Sequence, residues 1–297
     1  MKETRFIEEI RKMAGRPGRG VKTGIGDDCA VLGYDDKRYL LWAADMLVQG
    51  THFRRKDGYK KIGRKAVAVN ISDIAAMGGV PRYITVSLGI PRYMEKPAVK
   101  ALYDGIFRIC REYGIKVIGG DTNRSGRLVI DVSILGTVEK ERLVTRSGAY
   151  ARDLILITGP VRNGKKEHLR FSPRLEESRF ITGNYKVNSM IDVSDGIAMD
   201  AARICAESGV GCKIYAGAIP LSGKLSLEDA LYYGESFELL FTMRPREAER
   251  LIRDLSAKER KAECFVIGEI TGKKQGLRLV DRNGRASNLK VTGYRHL

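Results

Sequence analysis

A set of aspartates occupies positions where a carboxylate can do chemistry. Asp27 and Asp28 close the stretch Gly24-Ile25-Gly26-Asp27-Asp28, and Asp45 follows the apolar run Leu40–Ala44. Asp73 lies within a helical pattern, Asp121 ends Gly119-Gly120-Asp121, and Asp192 and Asp195 flank Val193-Ser194. Taken singly, an aspartate in such a turn caps a helix or closes a loop. Taken together, converging carboxylates without cations repel and take up protons, whereas Mg2+ seeks carboxylate oxygens along with water and substrate phosphates. If the segments meet, they form a magnesium-phosphate site; spacing alone leaves the meeting open. Asp73, three residues after Asn70 and four after Val69, sits at the edge of an apolar stripe where an unpaired carboxylate is costly to desolvate.

Other motifs carry less. Gly159-Pro-Val-Arg-Asn-Gly164-Lys165-Lys166 approximates a phosphate-cradling loop, but Lys166 stands where Ser or Thr must hold Mg2+, and the residues beyond it start a helix poorly; a surface turn is the better reading. The five cysteines, Cys29, Cys110, Cys205, Cys212 and Cys264, form no Cys-x-x-Cys pair, which points to free thiols. With His52, His168 and His296 as the only histidines, any metal must be hard and oxygen-ligated.

The elements that must position these groups alternate in type. Helical spacing covers 4–14, 59–77, 96–113, 173–182, 196–208 and 246–257. Strand patterns cover 38–44, 83–89, 116–118, 128–138, 153–158, 189–193, 212–216, 237–243, 264–270 and 277–280, while the stretch from 15 to 37 reads as loop. The expectation is a mixed α/β (α+β) protein with a boundary near 150, giving domains 1–150 and 151–297. The longest apolar runs fall far short of the roughly 20 residues of a bilayer span, and the N-terminus shows no signal-peptide pattern, so a cytoplasmic protein is expected. Lys and Arg number 53 against 36 Asp and Glu, for a net charge of +17; the excess is scattered and lacks interleaved aromatics, so small polyanions are better partners than nucleic acid.

The strings Gly24–Leu32, Ala44–Phe53, Gly63–Gly78, Gly119–Thr122, Arg146–Ala149, Ser172–Leu175, Asp192–Gly196, Gly209–Gly211 and Gly234–Phe241 together resemble thiamine-monophosphate kinases. These are relatives of aminoimidazole ribonucleotide synthetase, selenophosphate synthetase and the hydrogenase maturation protein. The resemblance spans nearly the whole chain in the family's order. It implies an N-terminal α/β domain whose strands form a β-barrel across a homodimer, a C-terminal α+β domain, and ATP with Mg2+ in the cleft between them.

Carried over motif by motif, the resemblance makes Asp27, Asp28, Asp45, Asp73, Asp121, Asp192 and Asp195 metal ligands, with Asp45, Asp73 and Asp121 catalytic. Tyr103, Gly120, Asp121, Arg146 and Ser194 would touch ATP. His52, Glu235 and Tyr294 would face the acceptor, thiamine monophosphate. Two departures stand out. Ala43-Ala44 replaces a hydroxyl residue before Asp45, and Ser236-Phe237 replaces Asp-Tyr after Glu235, which removes a carboxylate and a phenol from the expected acceptor side. The activity implied is transfer of the γ-phosphoryl of ATP to the phosphate of thiamine monophosphate. The alternatives are a same-fold enzyme with another phosphorylated acceptor and a non-catalytic nucleotide-binding protein.

Overall fold

The stretch from Tyr59 to Ala76 carries alanine, valine and isoleucine on nearly every side, so it has little surface suited to water. It folds as helix α2 (Tyr59–Ala76), buried along most of its length. The computed structural model describes residues 3–162, 167–257 and 263–293. Around α2 lie two sheets. The first contains β1 (Val21–Thr23), β2 (Ala30–Gly33), β3 (Arg38–Val48), β4 (Val80–Ile90), β5 (Lys116–Arg124) and β6 (Val129–Glu139), in the order β1-β2-β3-β6-β4-β5. Only the β4–β5 pair is parallel. Helix α3 (Lys96–Glu112) packs beside α2 on one face of this sheet, and α1 (Glu3–Ala14) precedes it in the chain.

The second sheet contains β7 (Leu154–Thr158), β8 (Ser189–Asp192), β9 (Gly211–Tyr215), β10 (Leu239–Met243), β11 (Cys264–Thr271), β12 (Leu277–Val280) and β13 (Ala286–Asn288). Its order is β13-β12-β9-β11-β7-β10-β8. Helices α4 (Leu175–Asn184), α5 (Ile197–Ser208), α6 (Leu227–Tyr232) and α7 (Pro245–Ala257) belong to this half. Strands β7, β8 and β10 are buried on both faces and accordingly read as continuous apolar runs. Helix α2 touches β3, β4 and β6 of the first sheet and β8 and α4 of the second half. Leu169, Phe171 and Phe237 join the core built on the first sheet. No helix among the described residues is long and apolar enough to cross a membrane.

The structure departs from the sequence pattern in identifiable places. Part of the stretch read as loop forms β1 and β2, too short to show alternation. Strand β5 runs on to Arg124, although Gly119-Gly120-Asp121-Thr122-Asn123 carries no apolar signal; it is extended because β4 pairs with it. Helix α6 and strand β13 also escaped the pattern.

The α2–α3 crossing depends on missing side chains. A Cβ on Gly63 would stand 2.1 Å from the Leu102 carbonyl oxygen, and one on Gly105 would stand 2.0 Å from that of Lys60. Alanine at either position would gain about 1 kcal/mol of helix propensity, so a net loss of stability can come only from the crossing. Gly63→Ala and Gly105→Ala should each destabilise by roughly 1–3 kcal/mol in denaturant unfolding. Gly18→Ala, with nothing within 4 Å of the added carbon, should be neutral. Equal stability of all three variants would refute the close crossing.

Candidate functional site

The last two turns of α2 place Ser72 and Asp73 against the end of β8, where Asp192 sits. The loop before β2 brings Asp28 to the same point. Carboxylate oxygens of Asp28, Asp73 and Asp192 lie within 4.8 Å of one another, with Asp192 buried and the other two half-buried. The Ser72 hydroxyl donates to Asp192 Oδ2 at 2.6 Å. Arg146 Nη2 donates to Asp28 Oδ1 at 2.5 Å, whereas Asp28 Oδ2 is buried with no hydrogen-bond partner among the described residues. Arg146 is held in turn: the Ser208 hydroxyl at the end of α5 donates to the Arg146 carbonyl at 3.2 Å and accepts the Gly148 and Ala149 amides at 3.1 Å.

Electrostatics at this point is strained in one direction. Burial, then the charges of Asp45, Asp192 and Asp28, push Asp73 well above the ordinary carboxylate range. Burial and then Asp28 raise Asp192 likewise, against the lowering bond from Ser72. Asp27, whose oxygens accept the Asp28 amide at 3.0 Å and the Arg146 amide at 3.2 Å, is pushed up to about 7 by burial and by Asp28. Burial lowers the Arg146 guanidinium, but Asp28 and Asp27 more than reverse it. Three oxygen donors, a high local negative charge and an orphaned carboxylate oxygen are what a hard divalent cation requires. These residues fit such a cation.

Of the residues expected to act together, the structure gathers Asp27, Asp28, Asp45, Asp73, Asp192 and Arg146. Asp121 is elsewhere. Asp45 pairs across the first sheet with Val132, Val132 with Val86, and Val86 with Gly120, so β5 lies three strand spacings away, roughly 14 Å. Asp121 belongs to the next row, with Ser87, Asp131 and Met46, and successive rows point to opposite faces. Asp45 therefore faces the α2 side. Asp121 lines a cavity of about 390 Å³ on the outer face, where Asn123 donates to it at 2.7 Å.

Asp195 is engaged by Arg203 at 2.5 Å, and its amide donates to Asp200. Gly120 answers a backbone need, since a Cβ there would stand 1.9 Å from the Val86 carbonyl oxygen. Tyr103 packs on α3 beside Phe107, and burial raises its phenol. Ser194 lends its carbonyl to the Glu235 amide at 2.8 Å. Tyr294 lies outside the described residues.

Towards the expected acceptor side, His52 Nδ1 accepts the Val48 amide at 3.0 Å and Glu235 pairs with Lys65. The two replacements next to Glu235 are packed inward. Ser236 is buried and its hydroxyl accepts the Arg162 amide at 3.3 Å, and Phe237 stacks on Phe171 with ring centroids 4.0 Å apart. Both positions complete the core, so the departure there is one of packing. Ala43 is likewise buried against the first core, and Ala44 is exposed on the opposite face. Ser72, Lys65, His168 and Ser208 were missed by sequence reasoning. Each is an ordinary residue in an ordinary helix or loop, and only the tertiary contact gives it a role.

The sequence matches the family described as AIR synthase related protein, its N-terminal domain over residues 26–138 and its C-terminal domain over 159–280. A thiamine-monophosphate kinase of Buchnera aphidicola subsp. Schizaphis graminum is 34% identical over 324 aligned positions, covering 99% of this chain and 98% of that protein. The thiamine-monophosphate kinase of Escherichia coli K12 is 34% identical, covering 93% of this chain and 92% of that one. Among solved structures, AaThiL complexed with AMPPCP and TMP superposes with a TM-score of 0.85 at 29% identity, over 100% of this chain and 97% of that chain.

In an unfolded chain these carboxyls titrate near about 3.9, below their folded positions. The native state therefore keeps protons that the unfolded state releases. The resulting destabilisation is absent below about pH 4 and accrues as pH rises towards the folded values, about 7 for Asp27. Asp73→Asn should thus raise the melting temperature of metal-free protein at neutral pH, by roughly 2–4 °C for each kcal/mol relieved. Mg2+ should stabilise the unaltered protein and lose that effect in the variant. Calorimetry showing equal Mg2+ stabilisation of both would remove the cation assignment.

Proposed function

The chain belongs to the AIR synthase related protein family, and from that membership we infer that it is an ATP-dependent thiamine-monophosphate kinase. It transfers the γ-phosphoryl of ATP to the phosphate of thiamine monophosphate, forming thiamine diphosphate and ADP. The observation that carries this reading is the Asp28–Asp73–Asp192 cluster, with one Asp28 oxygen that no described residue partners, in a chain related over nearly its full length to curated thiamine-monophosphate kinases.

The acceptor oxygen is already anionic, so the step needs no strong general base; alignment and charge neutralisation are what remain to be supplied. Asp28, Asp73 and Asp192, with the charge of Asp45 acting on the last two, would hold Mg2+, which would offset charge on the transferring phosphoryl. Arg146 keeps Asp28 in place and adds a fixed positive charge beside the cluster. His52 and Glu235 stand on the acceptor side.

A homodimer is part of the proposal. Trp42, Met46, Tyr83 and Ile118 are exposed on the first sheet, and Trp42 and Tyr83 share one row through Leu135. Strand β5 leaves a long open edge beside them. An uncovered apolar sheet face with an open edge is a surface for a second copy, and Asp121 contributes from that covered face. The free, mostly buried cysteines suit a cytoplasmic setting. The two domains, 1–150 and 151–297, keep dimerisation and most of the metal site in the first and cleft closure in the second.

Incubation of the purified protein with ATP, Mg2+ and thiamine monophosphate should yield thiamine diphosphate and ADP in equal amounts. Asp73→Asn should lower kcat at least about a hundredfold with the fold intact. Formation of ADP without thiamine diphosphate would sink the acceptor assignment. In light scattering the protein should have twice its chain mass, and Trp42→Glu should halve it; a monomeric native protein with full turnover would remove the dimer.

A further inference from the structure

Lys65 has no exposed side-chain surface, yet it is a cation in the middle of α2. Its ammonium donates to the His52 carbonyl at 2.9 Å, to His168 Nδ1 at 2.7 Å and to Glu235 Oε1. Those are all three of its N–H donors, so Lys65 has none left for a ligand. Because Nδ1 of His168 accepts, its proton sits on Nε2. The three partners come from different parts of the chain: the turn after β3, the segment before α4 and the loop before β10.

Two of these partners, His52 and Glu235, are the residues placed on the acceptor side, and Lys65 joins them. Glu235 keeps 27% of its side chain exposed, with Oε1 on Lys65 and Oε2 3.5 Å from His168 Nδ1. Its backbone is left-handed, with φ +67, an arrangement that costs a non-glycine residue about 1–3 kcal/mol and survives only where its surroundings fix it. The Glu235 amide bonded to Ser194 and the Lys65 ion pair are such fixtures. The charges facing Lys65 are Glu235, Asp57 and Asp45, and burial opposes them by lowering its pKa. His168 stays neutral more readily because burial and the adjacent ammonium depress it.

We infer that Lys65 is a positioning residue of the acceptor site: its ammonium sets the His52 turn and the Glu235 carboxylate in one geometry, in which Glu235 meets the cationic ring of the acceptor. The inference rests on the kinase reading above. A lysine that merely fills the core would affect stability and both substrates alike, whereas this one acts on the acceptor through Glu235.

Steady-state kinetics of Lys65→Met, Glu235→Gln and the double variant test this. Each single variant should raise KM for thiamine monophosphate about tenfold or more, equivalent to ~1.4 kcal/mol, with KM for ATP within about twofold. The double variant should be no worse than the worse single one, because both remove the same contact. Additive effects, a parallel rise in KM for ATP, or an unchanged acceptor KM in folded Lys65→Met would each overturn the inference. If Lys65→Met does not fold, Lys65→Gln, which keeps two N–H donors and loses the charge, takes its place under the same criteria. Failure of the unaltered protein to phosphorylate thiamine monophosphate would overturn the kinase reading itself; normal turnover with an unmoved acceptor KM in the variants would overturn this inference alone.

Discussion

Mutual repulsion among crowded, partly buried carboxylates is the constraint around which this protein is built. Asp28, Asp73 and Asp192 are pressed together where burial disfavours the charge of Asp73 and Asp192, and among the described residues they are met by the Arg146 guanidinium and the Ser72 hydroxyl. Crowded carboxylates of this kind carry a cost that binding of a cation would relieve. Arg146 does not annul the cost, since one oxygen of Asp28 remains without a partner among the described residues. The strain is concentrated where charge must later be stabilised.

Helix α2 turns that constraint into a working geometry. It carries Lys65 towards its middle and Ser72 and Asp73 near its end, eight positions apart at the extreme, or about 12 Å along the axis. A rigid buried helix therefore fixes the separation between the carboxylate cluster and the His52–Glu235 pair. The glycine-mediated approach of α3 and the contacts of α2 with β8 and α4 hold that helix from both halves of the chain. Movement of α2 would disturb both sites at once.

The opposing signs of charge have a division of labour. The chain is strongly basic as a whole, while Asp28, Asp73 and Asp192 gather at the end of α2. Scattered surface cations raise the local concentration of phosphate-bearing ligands.

Much of this was legible in the sequence. The long apolar pattern of α2 with Asp73 on it, the alternation of the main strands and the strand or turn positions of Asp27, Asp28, Asp45 and Asp192 are local properties, set by side-chain periodicity and turn chemistry. What was not legible depends on register and on long-range approach. Whether an aspartate on a strand faces the cluster or the opposite side is decided by one residue of phase in pairing, and that separates Asp45 from Asp121. Asp195 is engaged by Arg203, Ser236 and Phe237 complete a core, and Lys65 joins His52 to Glu235 because segments far apart in the chain meet there. A sequence specifies which groups are available and where the backbone turns; only closure of the tertiary structure decides which of them lose water together, and desolvation in company gives these charges their chemistry.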